Sequence, residues 1–324
     1  MLKVGLIGVG YLGKIHLRIL LETNAFQLVG FFDIDKQTSS DISKQYNVKA
    51  YSSDTELMDD CDAVIIVTPS NTHFEIAATA IKKGKHVFLE KPITPTIEEA
   101  KLLMGLQKEA GVKIQVGHVE RFNPAFVSAI PFVKDPQYIE IHRLAQYNPR
   151  GTDVSVTLDL MIHDLDLLLK IAGSNIKTIQ AFGTKTISET VDFVNARIEF
   201  ENGTIANLTA NRMSLNNMRN IKINQAGGIV NIDLLNKITE VIEIKNASKN
   251  SKNLVVVSGT KSPDKELVFQ HPIILPTNAI KEELLAFHNS IITGSKPVVT
   301  IEDAIGVLSL AYSIDEKIQH RIEK

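Results

Sequence analysis

Residues 3–16, KVGLIGVGYLGKIH, decide the fold. Their first half is a nearly continuous apolar run, which predicts a strand covered on both faces rather than one with a wet side. Gly8, Gly10 and Gly13 follow in G-x-G-x-x-G order, and the chain passes straight into an amphipathic helical pattern that runs through Leu21. In that setting the glycines permit a tight turn, close backbone approach to a pyrophosphate and close helix-on-strand packing, while the helix N-terminus favours the anion. Tyr11 and Leu12, between the second and third glycines, belong to the same candidate dinucleotide loop. Lys3 before an apolar run resembles a leader peptide, but the glycines, the missing small-residue cleavage site and the helical continuation argue against one.

Working outward, the first 120 residues repeat this alternation of strand and helix. FQLVGFFD (26–33), DAVIIVTP (62–69), KHVFLEKP (85–92) and VKIQVGH (112–118) are apolar strand candidates. Helical patterns lie around Gln37 to Tyr46, over HFEIAATAIKKG with Gly84 as its stop, and over TIEEAKLLMGLQKEAG with Thr96 and Glu99 in capping-box register. Buried strands alternating with helices predict a doubly wound parallel sheet, an α/β Rossmann domain over 1–120. Asp33, at the end of the second strand, stands where a carboxylate would bind an adenine ribose. It repels a 2′-phosphate and no arginine follows it closely, so NAD is expected rather than NADP, with Lys36 the one nearby cation. Thr68 and Pro69 leave another strand on the carboxyl edge where ligands of such sheets bind. Asn71 is read as the cap of the next helix, and His73 as either a first-turn residue or a cofactor contact. Glu90 and Lys91 end a further strand at that edge, and a cation before Pro92 is an odd choice for a mere turn.

Composition bounds the rest. The chain has 324 residues, 44% hydrophobic and 22% charged, with a net charge of -2, which favours two domains and leaves no basic footprint for nucleic acid. The single cysteine, Cys61, excludes an internal disulfide and fits a reducing, cytoplasmic setting. No run approaches the length of a membrane span. No metal-ligand pattern is assigned.

After His118 the pattern changes. A short helix near Ala125 leads into YIEIHRLAQY, then a loop with Pro149, Arg150 and Gly151, and then TLDLMIHDLDLLLKIAG, residues 157–173. That helix is apolar on most sides, yet it carries acids and a histidine. At about 100° per residue Asp159, His163 and Asp166 share an arc of roughly 60°, while Asp164 points elsewhere. Two readings stand: a polar seam satisfied by neighbours, or an acid/base stripe in which Asp159 orients His163. Alternating strands follow, around 176–187, then FVNARIEF, TIANLTANR, NIKINQAG and IVNIDLL, with Asn202-Gly203 as a hairpin signal. They predict an antiparallel or mixed sheet in an α+β domain over 121–324. Residues 248–268 look polar and turn-rich. Two closing helices, around 279–293 and 301–318, are expected to be able to pack back on the first domain.

The glycine loop, EKPIT at 90–94 and the D-x-x-x-H spacing of Asp159 and His163 together resemble the Gfo/Idh/MocA family of sugar and cyclitol dehydrogenases, over essentially the whole chain. The resemblance implies an NAD(P) Rossmann domain followed by a substrate domain on an open, mostly antiparallel sheet. It implies Lys91, Asp159 and His163 as the catalytic trio and a cis Lys91-Pro92 bond. GHVERFNPAF, HRLAQYNPRGTDVSV and LDLMIHDLDLLL are similar to the branch containing UDP-N-acetylglucosamine 3-dehydrogenases. On that reading Arg121, Asn123, Arg143 and Arg150, with Asp159 and His163, are substrate contacts, because a diphosphate wants bidentate cations. Each arginine read alone is equally an ion-pair partner. The expected partner is a sugar or sugar nucleotide, and the assembly a homodimer or homotetramer. A free sugar or inositol, or a non-catalytic NAD-binding regulator, are the competing functions.

Overall fold

The structure, a computed structural model, describes residues 1–149, 151–247, 253–256 and 264–322. The chain forms two compact units, Met1–Val119 with Asn278–Ser309, and Glu120–Thr277 with Leu310–Lys324.

In the first unit, strands β1 (Leu2–Ile7), β2 (Phe26–Phe32), β3 (Ala63–Ile66), β4 (His86–Glu90) and β5 (Ile114–Gly117) form one parallel sheet in the order β2-β1-β3-β4-β5. Helices α1 (Tyr11–Glu22), α2 (Lys36–Tyr46), α3 (Asp54–Asp59), α4 (His73–Lys82) and α5 (Ile97–Ala110) connect the strands. The order reverses between β1 and β3, the point at which such sheets open a ligand crevice beyond their carboxyl ends. Central strand β3 and edge strand β5 are both buried at every residue, as two-sided coverage demands. The capping box on α5 is closed in both directions: the Glu99 amide donates to Thr96 Oγ1 and the Thr96 amide to Glu99 Oε2, each at 3.2 Å. The short helix α3 escapes the sequence reading, since six residues give too little periodicity to register.

Helix α8 (Ala279–Thr293) completes this unit. Its Leu284 and Phe287 enter the same core cluster as Leu6, Phe31 and Phe88, with the Phe287 ring edge-on to Phe88 at 5.9 Å. Gln115 Nε2 donates to the Glu283 carbonyl at 2.7 Å and the Val116 amide to the Val299 carbonyl at 3.2 Å. Cys61 is buried, and burial pushes its thiol up to about 11, which leaves it inert.

The second unit is a nine-stranded sheet over β6 (Pro136–Leu144), β7 (Ile176–Thr184), β8 (Phe193–Phe200), β9 (Ile205–Asn211), β10 (Met218–Gln225), β11 (Gly228–Asp233), β12 (Ile238–Asn246), β13 (Leu254–Val256) and β14 (Lys265–Gln270). All neighbours run antiparallel except β6 and β9, which are parallel. Helices α6 (Pro124–Ala129) and α7 (Ile162–Ala172) pack on the sheet, and α9 (Ile301–Ile322) runs from the first unit's segment into the second's. Alternation sorts the faces: Ile139, Ile141 and Arg143 of β6 are buried, while Glu140 and His142 between them are half-buried. Asn202-Gly203 makes the β8–β9 turn, with Gly203 at φ 87°.

Three strands depart from the sequence reading. β12 was not anticipated, and β13 and β14 fall in the stretch read as polar turn. Of their described side chains only Thr239 and Val241 are buried, so little of the in-out alternation that marks a strand is present there. β7 also ends at Thr184, short of Ile187.

Candidate active site

The glycine loop is closed on two sides and open on one. A Cβ on Gly8, at φ +90°, would lie 2.6 Å from the Val67 carbonyl oxygen, and one on Gly13 would lie 2.1 Å from the Gly8 carbonyl oxygen. A Cβ on Gly10 would meet nothing within 4 Å. The first turn of α1 has no side-chain cap at Gly10. Tyr11 is 75% exposed beside it. Asp33 Oδ2 accepts the Val9 amide at 2.8 Å and Oδ1 the Asp35 amide at 2.9 Å, which fixes the carboxylate at the mouth of the loop. Spare lone pairs on both oxygens can accept ribose hydroxyls.

Loops after β3 and β4 are tied together by His73. The ring is 1% exposed, with Nδ1 at 2.9 Å from the Pro92 carbonyl and Nε2 at 3.0 Å from the Thr68 carbonyl. Burial holds this imidazole below its ordinary pKa. A neutral ring donates to one of these carbonyls at a time. His73 is thus an internal brace rather than a surface or cofactor-facing group. Asn71 does not cap α4: residues Ser70–Thr72 form a 3-10 turn, the cap position is Thr72, and Asn71 is exposed. The Thr72 hydroxyl donates to the Pro69 carbonyl at 2.8 Å and shares a second hydrogen bond of 2.8 Å with the Thr68 hydroxyl, which shapes the turn instead.

Glu90 is held from two sides. His16 Nε2 lies 2.9 Å from its Oε1, and the Lys91 amide donates to its Oε2 at 3.2 Å. Gly117 opposite is bare for a reason, because a Cβ there would lie 2.8 Å from Glu90 Oε2. Lys91 follows, part-exposed, and its bond to Pro92 is cis. His16 had no signal in the sequence beyond its place one turn after Gly13.

In the second unit, residues Thr157–Met161 form a π-helical turn that runs into α7. Such a turn inserts a residue into the helix and is frequent at functional sites. From Met161 to Leu168 every residue is buried except His163, and Asp159 in the turn before it is also part-exposed. A cavity of about 670 Å³ is lined by Gln146, Tyr147, Asn148, Gly151, Asp159 and Leu160, among others.

The other two acids are structural. Asp166, which sequence periodicity put on the arc of Asp159 and His163, is fully buried and takes both prongs of Arg121, from Nε and Nη2 at 2.8 Å each. Asp164 receives Arg143 in the same way, at 2.8 Å and 2.8 Å, and Arg143 Nη1 also donates to Glu120 Oε1 at 3.1 Å. Burial pulls the Arg143 guanidinium down, but Asp164 and Glu120 more than reverse this and hold it above its usual value. Arg121 and Arg143 are therefore committed to buried ion pairs and are not substrate contacts. Asn123 is likewise spent: its Oδ1 accepts the Ala125 amide at 3.1 Å, and its Nδ2 donates to Glu120 Oε2 at 2.9 Å and the Leu234 carbonyl at 3.0 Å. Arg150 lies outside the described residues.

Comparison with known proteins agrees with this geometry. Residues 2–118 match the profile of an oxidoreductase family with an NAD-binding Rossmann fold, and residues 135–229 match the GFO/IDH/MocA C-terminal domain. The chain belongs to the Gfo/Idh/MocA oxidoreductase family. A UDP-N-acetylglucosamine 3-dehydrogenase from Acidithiobacillus ferrooxidans is 34% identical over 245 residues, 74% of this chain and 76% of that protein. A scyllo-inositol 2-dehydrogenase (NAD(+)) from Bacillus subtilis is 30% identical over 231 residues, 65% of this chain and 68% of that protein. A solved structure of the Acidithiobacillus enzyme superposes with a TM-score of 0.90 at 29% identity, covering 100% of this chain and 99% of the other. This Gfo/Idh/MocA member is an NAD-dependent oxidoreductase acting on CH-OH groups. The cradle fits the cofactor, because the one glycine of the loop that faces open space is the one that would pass the pyrophosphate, and the Asp33 carboxylate at its mouth would hold the ribose.

Proposed function

We propose that the protein oxidises a secondary hydroxyl of a sugar, namely C3 of UDP-N-acetylglucosamine. The observation that carries this reading is that His163 and Asp159 are the part-exposed polar groups of residues 157–168, where Thr157, Asp164 and Asp166 are buried, in a chain 34% identical to a UDP-N-acetylglucosamine 3-dehydrogenase. Bound NAD supplies the acceptor for the hydride leaving the carbinol carbon. The imidazole of His163 takes the hydroxyl proton, since such a ring accepts protons near neutrality. Lys91 donates a hydrogen bond to the reacting oxygen and stabilises its growing negative charge. Asp159 orients the imidazole or the sugar. An exchange of roles, with Lys91 as base, gives the same products and is separated by the pH dependence of the two single variants.

A diphosphate needs cationic donors, and Arg121 and Arg143 are spent. Arg150, whose neighbours Pro149 and Gly151 line the cavity beside Asp159, is the remaining one of the three arginines assigned that role. The second reading, an inositol or free-sugar dehydrogenase, draws support from the scyllo-inositol relative and needs no phosphate partner. The protein works in the cytoplasm as a homo-oligomer on this proposal, joined through the open, polar face of the nine-stranded sheet.

The deciding experiment is a panel of UDP-N-acetylglucosamine, scyllo-inositol and myo-inositol with NAD and with NADP, followed by NADH absorbance, on wild type, Lys91→Ala and His163→Ala. Turnover of the sugar nucleotide with NAD, lost in both variants while NAD still binds, is the expected result. Near wild-type rates in both variants would overturn the assignment, and turnover of inositols alone would replace the substrate.

A further inference from the structure

Arg212 follows the end of β9 and is buried, 3% exposed, although it adjoins the cavity that holds Asp159. A guanidinium withdrawn from solvent to this degree needs partners within the protein. Its Nη1 donates to the Gly151 carbonyl at 2.8 Å and its Nη2 to the Val154 carbonyl at 2.7 Å. Its Nε lies 3.7 Å from Asp192 Oδ1. Asp192 is itself immobilised: its Oδ2 accepts the amides of Thr186, Ile187 and Ser188 at 2.8, 2.7 and 2.9 Å, and its Oδ1 the Ser188 hydroxyl at 2.6 Å. The guanidinium is thus anchored at one end and grips the 151–154 turn with the other.

What that turn touches gives the grip a purpose. Gly151 sits at φ +81°, and a Cβ on it would lie 2.9 Å from Asp159 Oδ2. Its bare Cα is therefore the wall against which the Asp159 carboxylate rests, and a displaced turn would remove that wall. We infer that Arg212 is a positioning residue for the reaction: by clamping the 151–154 turn onto the Asp159 carboxylate it fixes where that carboxylate meets the sugar, without touching the sugar itself. This inference rests on the role given to Asp159 above.

The test is a double-mutant cycle on the best substrate of the panel, combined with amide hydrogen exchange, which needs no turnover. Arg212→Gln is expected to lower kcat/KM by about 10- to 100-fold, the scale at which small misplacements of a reacting group act. The dissociation constant for NAD stays within about twofold, because the cofactor cradle lies in the other unit. Arg212→Lys, which keeps one donor for the carbonyls, recovers part of the loss. Arg212→Gln combined with Asp159→Asn is no slower than Asp159→Asn alone, since two residues acting through one carboxylate are not additive. Exchange over 151–160 accelerates in Arg212→Gln while that of residues 2–22 does not. Should Arg212→Gln fail to fold, Gly151→Ala enters the same cycle, displacing the carboxylate from the opposite side. Multiplying effects of the two sites, or unchanged exchange over 151–160, would overturn the inference and leave the role of Asp159 intact. A wild-type rate in Asp159→Asn would instead sink the role of Asp159, and the exchange result would still report on the clamp.

Discussion

Gly13 and Gly10 of one loop behave differently under substitution, because only the first has a neighbour that a methyl group would strike. Gly13→Ala drives a methyl group into the Gly8 carbonyl and should lower stability as well as NAD binding. Gly10→Ala meets nothing in the protein, so its unfolding midpoint should match wild type while NAD affinity falls about tenfold or more, as calorimetric titration would show. At Asp33 the carboxylate selects by charge. Asp33→Asn keeps an acceptor for the Val9 amide and loses the repulsion of a 2′-phosphate, so the NADP-to-NAD ratio of kcat/KM should rise about tenfold or more, equivalent to about 1.4 kcal/mol. These positions were legible in the sequence, since glycine spacing and a strand-terminal acid are local signals. The brace made by His73 and the pairing of His16 with Glu90 were not, because they join residues 19 and 74 apart along the chain.

Elements fail or hold through their buried charges. Arg143→Met leaves Asp164 without its cation and Glu120 Oε1 with Arg219 alone, 3.5 Å away, and breaking a buried pair from one side costs about 3–5 kcal/mol. Urea unfolding should show that loss, with the KM for substrate in the surviving folded protein near wild type. A substrate-contacting arginine would give the reverse pattern. Asp192 ties the 186–188 turn to β8. Burial alone would raise its carboxyl, but the Ser188 hydroxyl and the amides of Ser188, Ile187 and Thr186 outweigh that and set it at about 2, below the ordinary 3.8. A depressed carboxyl stabilises the fold above its unfolded pKa and loses that contribution as pH falls through its folded value. Wild-type stability should therefore decline from about pH 4 toward about pH 2, and Asp192→Asn should be less stable at neutral pH with a shallower acid limb. Helix periodicity put Asp166 on the arc of Asp159 and His163 and left its role open between seam and site, because it ranks faces and cannot name the arginine, 45 residues away, that claims one. Asp192 and Arg212 were within reach: the Asn202-Gly203 hairpin pairs Phe193 with Asn211, so the next pair outward is Asp192 and Arg212.

At the scale of the whole chain, the first unit is not finished by its own first 119 residues. Leu284 and Phe287 of α8 belong to its core, and Phe287 is fully buried. Phe287→Ala should cost about 3–5 kcal/mol by the usual penalty for an emptied aromatic site. Because NAD binds the same unit, a 100-fold excess over its dissociation constant should return about 2.7 kcal/mol, which paired unfolding curves with and without cofactor would measure. The Rossmann half was readable because its apolar strands and glycine stops repeat over short distances. The return of α8 was only an expectation, because amphipathicity shows that a helix has a face to bury and not which sheet receives it.

The route of the backbone also governs how this enzyme can be re-engineered. It leaves the cofactor-binding portion after Val119, comes back at Asn278 and departs again after Ser309, inside α9. Transplanting sugar recognition from a relative therefore cannot use a single splice. It calls for residues 120–277 as an insert together with the distal part of α9 from the same donor, joined in helical phase, and a chimera with one junction would mate a foreign sheet to a native closing helix.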